Sequence, residues 1–536
     1  MLVKYLAMKP PQNTPENAPS PPDNAIASLQ GVIADLQDEN AQLKSQLDWF
    51  KKQLFGPKSE KRVIENPHQG SLLIDPGTTA PEALPTITVP EHERGTGKEH
   101  RSQDCVTESG LRFTDEVPVT VISVVPPELS GPNADQYEVI NTEVTHKLAQ
   151  QPAGYVVLRY ETTVIKHKQQ ANIVRAPLPD QVLEGSIADV SLLAGLLVDK
   201  FLYHLPLYRQ HQRMSQLGVT VARASLTNWV KRAIELLRPI VDAQCRHILI
   251  SKVLAMDETP IKAGLKHPGK MKQGYFWPLY GEDHEIVFTY SDSRGRQHIE
   301  ETLKSQFQGV LVTDGYAAYA RYASHTQGVV HAQCWVHSRR KFVEAESHAP
   351  QAVAHALALI GQLYQTESHI ERARLMDEKK HQYRLACSKP VVDEFFGWCQ
   401  QEMQRSDLTP KNPLKKALNY VLSRENELRV FLEDPDVPLD TNHLERAIRP
   451  IPLGRKNWLF CWTELGAEHA GIIQSLISTC KLQGVNPLVY LTDVLQRISV
   501  HPANRIDELT PRLWKEKFAD NPMRSVVKPK VQYVME

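Results

Sequence analysis

The chain has 536 residues, 62 Lys and Arg against 62 Asp and Glu, 41% hydrophobic residues and 37 prolines, which predicts three or four units around a large core. Its longest apolar runs, such as residues 192–198, are far short of the roughly 18 residues a membrane span needs, and proline-rich sequence follows Met1 too soon for a signal peptide, so a cytoplasmic protein is expected. The seven cysteines (Cys105, Cys245, Cys334, Cys387, Cys399, Cys461 and Cys480) contain no CxxC pair, which excludes a spacing-encoded disulfide framework or ribbon-type zinc site.

Residues 1–24 carry six prolines between positions 9 and 24 among Asn, Ser and Asp, too few apolar groups to offset the entropy of ordering, and are expected to be a disordered arm. From Ile26 a heptad begins. Ile26, Ile33, Asn40, Leu47 and Leu54 occupy one seam position, while Leu29, Leu36, Leu43 and Phe50 occupy the other. β-branched residues early at a, Leu at d and a single Asn at a favour a parallel two-stranded coiled coil in one register over residues 25–62, hence a homodimer or higher assembly. The alternative is an amphipathic helix packed on its own protein. Residues 50–62 end the coil with five basic residues and one acid, and Gly56-Pro57 stops the helix. Pro67, Pro76, Pro81, Pro85 and Pro90 make 63–104 a linker, and short apolar runs at 117–125 and 155–164 predict a small β-rich module over 105–180.

Between Asp199 and Ile240 seven Lys or Arg face two acids, a local excess of +5 in a neutral chain. Residues 207–229 read as helix, glycine turn at Gly218, helix, with Leu217, Val219, Leu226 and Trp229 as core and Arg223, Ser225, Thr227 and Asn228 on or near the exposed N-terminal part of the second helix. In a helix-turn-helix, here bounded at 185–245, that end enters the major groove.

Beyond residue 248 the pattern is α/β. Strands are expected at 253–256, 275–280, 286–290 and 310–313, with a helix at 296–307. Two strands run directly into acids, Asp257 and Asp314, and carboxylates at strand ends project from a sheet edge where hard cations such as Mg²⁺ find oxygen ligands. A third acid is available from Glu445 on a short helix stopped by Pro450, and three carboxylates can hold two ions for an in-line phosphoryl transfer. Each acid also has a local explanation. Asp314-Gly315 is a turn dipeptide, strand alternation would aim only one of Asp257 and Glu258 into a site, and Glu445 could complete a capping box with Asn442 or pair with Arg449. His331, Cys334 and His337 are ligand types, but on a helix they would spread over two turns, so packing or support of neighbours is the expected role.

Eight stretches in order carry a family resemblance: Gln53 to Lys61, Asp199 to Arg209, Met256-Asp-Glu-Thr259, Thr313-Asp-Gly-Tyr316, Cys334 to Phe342, Asn442 to Pro450, Gly454-Arg-Lys-Asn-Trp-Leu-Phe460 and Leu482 to Leu491. In these the chain resembles the transposases of the insertion sequence 66 family, TnpC-type DDE recombinases of bacterial mobile elements. The resemblance implies an α/β, RNase H-like catalytic core (246–340 and 439–480) with Asp257, Asp314 and Glu445 as the triad, holding two Mg²⁺ or Mn²⁺ ions. It selects Asp257 over Glu258, which the residues themselves left open. It also implies transposon-end and target DNA as partners, accessory proteins of the same element, and a nucleoid-associated location.

The 131 residues from Asp314 to Glu445 hold amphipathic stretches at 352–364, 391–403 and 414–431, read as a helical insertion over 341–438; 481–536 is a C-terminal tail region. Arg455 and Lys456 are placed to contact DNA, while Trp458 and Phe460 fit DNA stacking or an ordinary core pair equally well. Two departures stand out. The region where the family carries a zinc module holds only Cys105, so no structural zinc is expected, and Cys461-Trp-Thr-Glu-Leu replaces a small-residue run. A non-catalytic dimeric regulator derived from a transposase would share the zipper and helix-turn-helix; retention of all three acids argues for the enzyme.

Overall fold

The structure, a computed structural model, describes residues 104–527 apart from 109, 152–153, 171, 304–306 and 459–460. The expected arm, coiled coil and basic end, the linker up to residue 103, and Phe460 therefore lie outside the described residues.

The described residues form three sheets. A small one is formed by β1 (Asp104–Val106), β2 (Arg112–Thr114) and β7 (Val219–Thr220). The β-rich module is a four-stranded sheet of β3 (Val119–Val124), β4 (Tyr137–Gln151), β5 (Gly154–His167) and β6 (Ile173–Arg175), in which the β4–β5 hairpin runs almost its whole length in antiparallel register. Thr, Val, Ile and Tyr dominate these strands, as a pleated surface favours.

Three helices lead to the third sheet. α1 (Val190–Phe201) is buried over most of its length, and Asp189 caps it by accepting from the Ser191 N–H at 2.9 Å. α2 (Leu207–Gln216) ends at Gly218, whose φ of +80° suits glycine, and α3 (Arg223–Ile248) follows the two residues of β7. Val219, Leu226 and Trp229 are buried as expected. Leu217 is not: it is 45% exposed, because it caps α2 at the turn while Met214, one turn earlier, takes the core position. No described helix is long and apolar enough to cross a membrane.

The third sheet has the order β11-β10-β8-β12-β13, with β8 (Val253–Met256), β10 (Lys270–Tyr280), β11 (Ile286–Ser291), β12 (Gly309–Thr313) and β13 (Val329–Gln333). β10 is antiparallel to both β8 and β11, whereas β12 is parallel to β8 and β13 to β12. Among the named strands, β9 (Thr259–His267) pairs with β10. β9 and β13 were not among the expected strands. α4 (Arg296–Leu303), α5 (Ala317–His325) and α6 (Trp335–Val343) are the connecting helices.

The edge strand β11 is closed by a later helix, α13 (Glu464–Leu482). Ser475 Oγ accepts from the Phe288 N–H at 2.9 Å and Thr479 Oγ1 from the Ile286 N–H at 3.1 Å, satisfying donors that an open edge would leave to solvent or another chain. This approach needs Gly471, where a Cβ would lie 2.5 Å from the Phe288 carbonyl oxygen. The tail adds α14 (Pro487–Arg497) and α15 (Pro511–Lys517), with Trp514 buried against Tyr490.

Residues 341–438 are helical: α7 (Pro350–Ala373), α8 (Asp377–Met403), α9 (Pro413–Leu422) and α10 (Glu425–Glu433). The expected stretch 414–431 is broken at Ser423–Arg424, so α9 and α10 pack as separate elements. They share a core of Phe342, Leu363, Phe395, Phe396, Leu418 and Phe431 with Trp335. Arg384 on α8 is fully buried there. Its guanidinium donates to both Glu367 carboxylate oxygens (2.9 and 2.8 Å) and to the carbonyls of Phe431 (2.8 Å) and Val437 (2.9 Å). Arg384 thereby ties the insertion to the loop leading back to the sheet. Arg384→Ala strands these acceptors and should destabilise the protein by about 3 kcal/mol or more; an unchanged thermal melting transition would show that the loop is held by other contacts.

Candidate active site

Because β8 and β12 are parallel neighbours, the residues following both emerge at one sheet edge. β8 is buried throughout and ends at Met256, so Asp257 follows at that edge; β12 ends at the fully buried Thr313, so Asp314 follows beside it. Oxygens of Asp257, Glu258 and Asp314 lie within 4.8 Å of one another. Strand alternation does not separate Asp257 from Glu258, because both residues lie beyond the end of β8.

The two oxygens of Glu258 are engaged, unlike a free ligand's. Oε1 accepts from Arg294 Nε at 2.6 Å and Oε2 from the Tyr319 hydroxyl at 2.8 Å. Arg294 in turn lies over the Tyr316 ring at 4.2 Å, and the Tyr316 hydroxyl donates to the Arg294 carbonyl. Asp314 Oδ1 accepts from the Tyr316 N–H at 2.8 Å, the turn that opens α5. Gly315 is required by packing rather than by φ: a Cβ there would collide with Tyr420 of α9, and Arg424 donates to the Gly315 carbonyl at 3.2 Å.

Glu445 arrives on α11 (Asn442–Ile448). The loop before it is pinned by Arg384, by the Trp335 N–H to the Leu439 carbonyl (3.2 Å) and by the Thr441 N–H to Cys334 Sγ (3.3 Å). The capping box does not form. Thr441 is the N-cap, Asn442 bonds Asp440, and the Glu445 carboxylate lies 3.6 Å from Arg340 and 3.8 Å from His337, both on α6. α11 is short as expected and ends at Ile448, and Pro450 opens α12 (Pro450–Trp458), where its missing N–H is harmless. Glu445 does not join the closest acid group, yet its charge reaches Asp257, and His337 feels both Asp314 and Glu445.

His331, Cys334 and His337 do not share a helix: they lie on β13, at the N-cap of α6 and on α6. His331 Nε2 meets the Thr313 hydroxyl at 2.9 Å, and burial lowers its pKa to about 4, so it braces the residue before Asp314 as a neutral ring. Arg223 and Asn228 are exposed at the start of α3, Ser225 and Thr227 are half-buried, and Arg223 lies over the Tyr208 ring of α2 at 4.8 Å. On α12, Lys456 is exposed, but the Arg455 guanidinium bonds the Pro260 carbonyl of β9. Trp458 packs on the main core. Arg294, Tyr319 and Arg340 escaped the sequence reading; only the position of Arg340 in the Cys334 to Phe342 stretch pointed toward the site.

A family model described as "Transposase IS66 family" matches residues 185–469, more than half of the chain and all of this site. The chain belongs to the IS66 family of transposases. An "IS66 C-terminal element" matches 475–512, and a "Transposase C of IS166 homeodomain" matches 42–105, across the basic end of the heptad segment and the stretch read as linker. Three proteins of Sinorhizobium fredii (strain NBRC 101917 / NGR234), each called uncharacterized, are similar. The chain is 30% identical to y4jD over 360 residues (64% of this chain, 69% of that protein), 29% to y4hP over 405 (71% and 72%) and 28% to y4qI over 417 (74% and 75%).

The electrostatics of this IS66 transposase site fit a cation. Burial first, then the charges of Glu258, Asp314 and Glu445, push the Asp257 carboxyl from 3.8 up to about 7, against the Glu258 N–H bond that favours its ionised form. A raised carboxyl pKa means the folded state binds the proton more tightly than the unfolded chain. Its contribution to stability is thus complete at low pH and is lost as pH rises through about 7, with a ceiling of about 4 kcal/mol at 1.36 kcal/mol per pKa unit. In chelator, Asp257→Asn should therefore raise the melting temperature at pH 8, with the gain shrinking toward pH 5. A gain independent of pH would mean that neither burial nor the neighbouring charges disfavour the ionised Asp257.

Proposed function

We propose that this IS66-family chain is a DDE transposase that cuts the ends of its element and joins the freed 3′-hydroxyl to target DNA within an RNase H-like core. The observation that carries the reading is the convergence of Asp257 and Asp314 at one edge of a mixed sheet, with Glu445, on a helix 131 residues beyond Asp314, near enough for its charge to reach Asp257. The strand order, with three antiparallel strands continued by two parallel ones, supports the RNase H-like assignment. Asp257, Asp314 and Glu445 would hold two Mg²⁺ or Mn²⁺ ions, which when bound polarise the attacking and leaving oxygens of the phosphodiester.

In cutting, a water oxygen bonds to the scissile phosphorus as the bond to the 3′ oxygen breaks, freeing a 3′-hydroxyl. That hydroxyl then attacks a target phosphodiester, and a target 3′-hydroxyl leaves. Bond number is conserved in the joining step, so no protein nucleophile is needed. Glu258 fixes the Asp257 turn through Arg294 and Tyr319, and Arg340 and His337 orient Glu445. α2, the Gly218 turn and the start of α3 act as the helix-turn-helix, with Arg223 and Asn228 presented to DNA and Ser225 and Thr227 beside them; the local +5 charge supports this role. A coiled coil over 25–62 pairs two chains.

The test is cleavage and joining of a labelled duplex carrying the element's end. Asp257→Asn, Asp314→Asn and Glu445→Gln should each remove both steps together, by about a thousandfold or more, while leaving the fold intact. Wild-type cleavage in any folded one of the three removes that residue from the triad. Binding without cleavage by the wild-type protein would instead support the derived, non-catalytic regulator.

A further inference from the structure

β9 is an in-line continuation of β8. The same strand, β10, pairs with β8 at Leu279 and Tyr280 and with β9 from Lys270 to Phe276, and the break between them is Asp257-Glu258. The β9–β10 hairpin therefore leaves the sheet at the edge that carries the acids and runs beyond it. Its composition is one-sided. From Thr259 to Tyr280 there are four lysines, Lys262, Lys266, Lys270 and Lys272, and no Asp or Glu. Lys262, Lys266 and Lys270 are exposed, as is His267 at the tip, and Gly269 turns the chain at φ +78°.

The base of the hairpin is braced by the segment that follows α12. Cys461 bridges to Ala263, its N–H donates to the Lys262 carbonyl at 2.9 Å, and the Gly264 N–H donates back to the Cys461 carbonyl at 3.1 Å. Lys272 pairs with Glu464 at 2.6 Å. Glu464 is the acid that meets the hairpin from this brace, and Lys272 answers it, leaving the other three lysines facing outward. Trp462, 62% exposed, stands on the same brace.

We propose that the β9–β10 hairpin is a rigid basic prong that grips the DNA backbone flanking the scissile phosphate, an assignment that rests on the transposase reading above. Exposed lysines on a braced two-stranded ribbon match a polyanion, and a ribbon of this width fits the major groove. At about 3.3 Å per residue, Lys262 stands about 16 Å and Lys266 about 30 Å along the strand from Asp257. DNA advances about 3.4 Å per phosphate on one strand, so the prong contacts backbone roughly five to nine nucleotides from the cut.

The triple variant Lys262→Gln, Lys266→Gln, Lys270→Gln tests this in the full chain, with Lys272 retained because it anchors the brace. Two probes are used, a duplex bearing the element's end and a random-sequence duplex of equal length. Three lost phosphate contacts should flatten the slope of log K against log salt by about 2.7 units on both. The affinity advantage of wild type should then narrow about 40-fold as salt is raised fourfold. Protection from hydroxyl radicals should disappear five to nine nucleotides from the cut while protection elsewhere persists. An unchanged slope and footprint in a variant that melts like wild type overturns the prong while leaving the transposase reading intact. Wild-type protein that binds neither duplex overturns both.

Discussion

Carboxylates repel one another, and the candidate site exists because the surrounding fold holds several of them together in spite of that. Parallel pairing of β8 and β12 is the source of the constraint, since it delivers Asp257 and Asp314 to one edge whatever the side chains prefer. The strain is visible at Asp257, where burial first and the neighbouring carboxylates second hold the proton to about pH 7. It is limited at Glu258, whose two oxygens are bound by Arg294 and Tyr319, and at Glu445, which faces Arg340. A site of this kind gains from a bound cation because the cation relieves a repulsion already present in the fold.

The helical insertion is part of that scaffold. Tyr420 of α9 and Arg424, in the break between α9 and α10, press on the Gly315 turn behind Asp314, while Arg384 of α8 and Trp335 hold the loop that precedes Glu445. A long gap between the second and third acids thus becomes a structural link between them. Its core, built on Trp335, Phe395, Phe396 and Phe431, fixes the placement of two acids that are distant in sequence.

Asp257 and Asp314 were legible because each ends an apolar run, and the strand direction needed to bring them together follows from ordinary α/β patterning. Glu445 was ambiguous from its local sequence, where capping and pairing with Arg449 both fitted; tertiary contacts with His337 and Arg340 decide its orientation. The contact between Glu258 and Arg294 joins residues 36 positions apart with no periodic signal between them, so no local rule could anticipate it. β9 was missed because its lysines and Gly264 weaken the apolar alternation that marks a strand, and its partner β10 supplies the order. Leu217 misled for a related reason, since an apolar residue beside a glycine turn reads as core until the turn carries it outward.

The most direct measurement is anomalous diffraction from crystals of the full chain soaked in Mn²⁺. Two Mn²⁺ peaks are expected, ligated by Asp257, Asp314 and Glu445, with Glu258 still bound to Arg294 and Tyr319. Manganese held by Glu258 in place of Glu445, or no ordered manganese at this edge, would contradict that assignment.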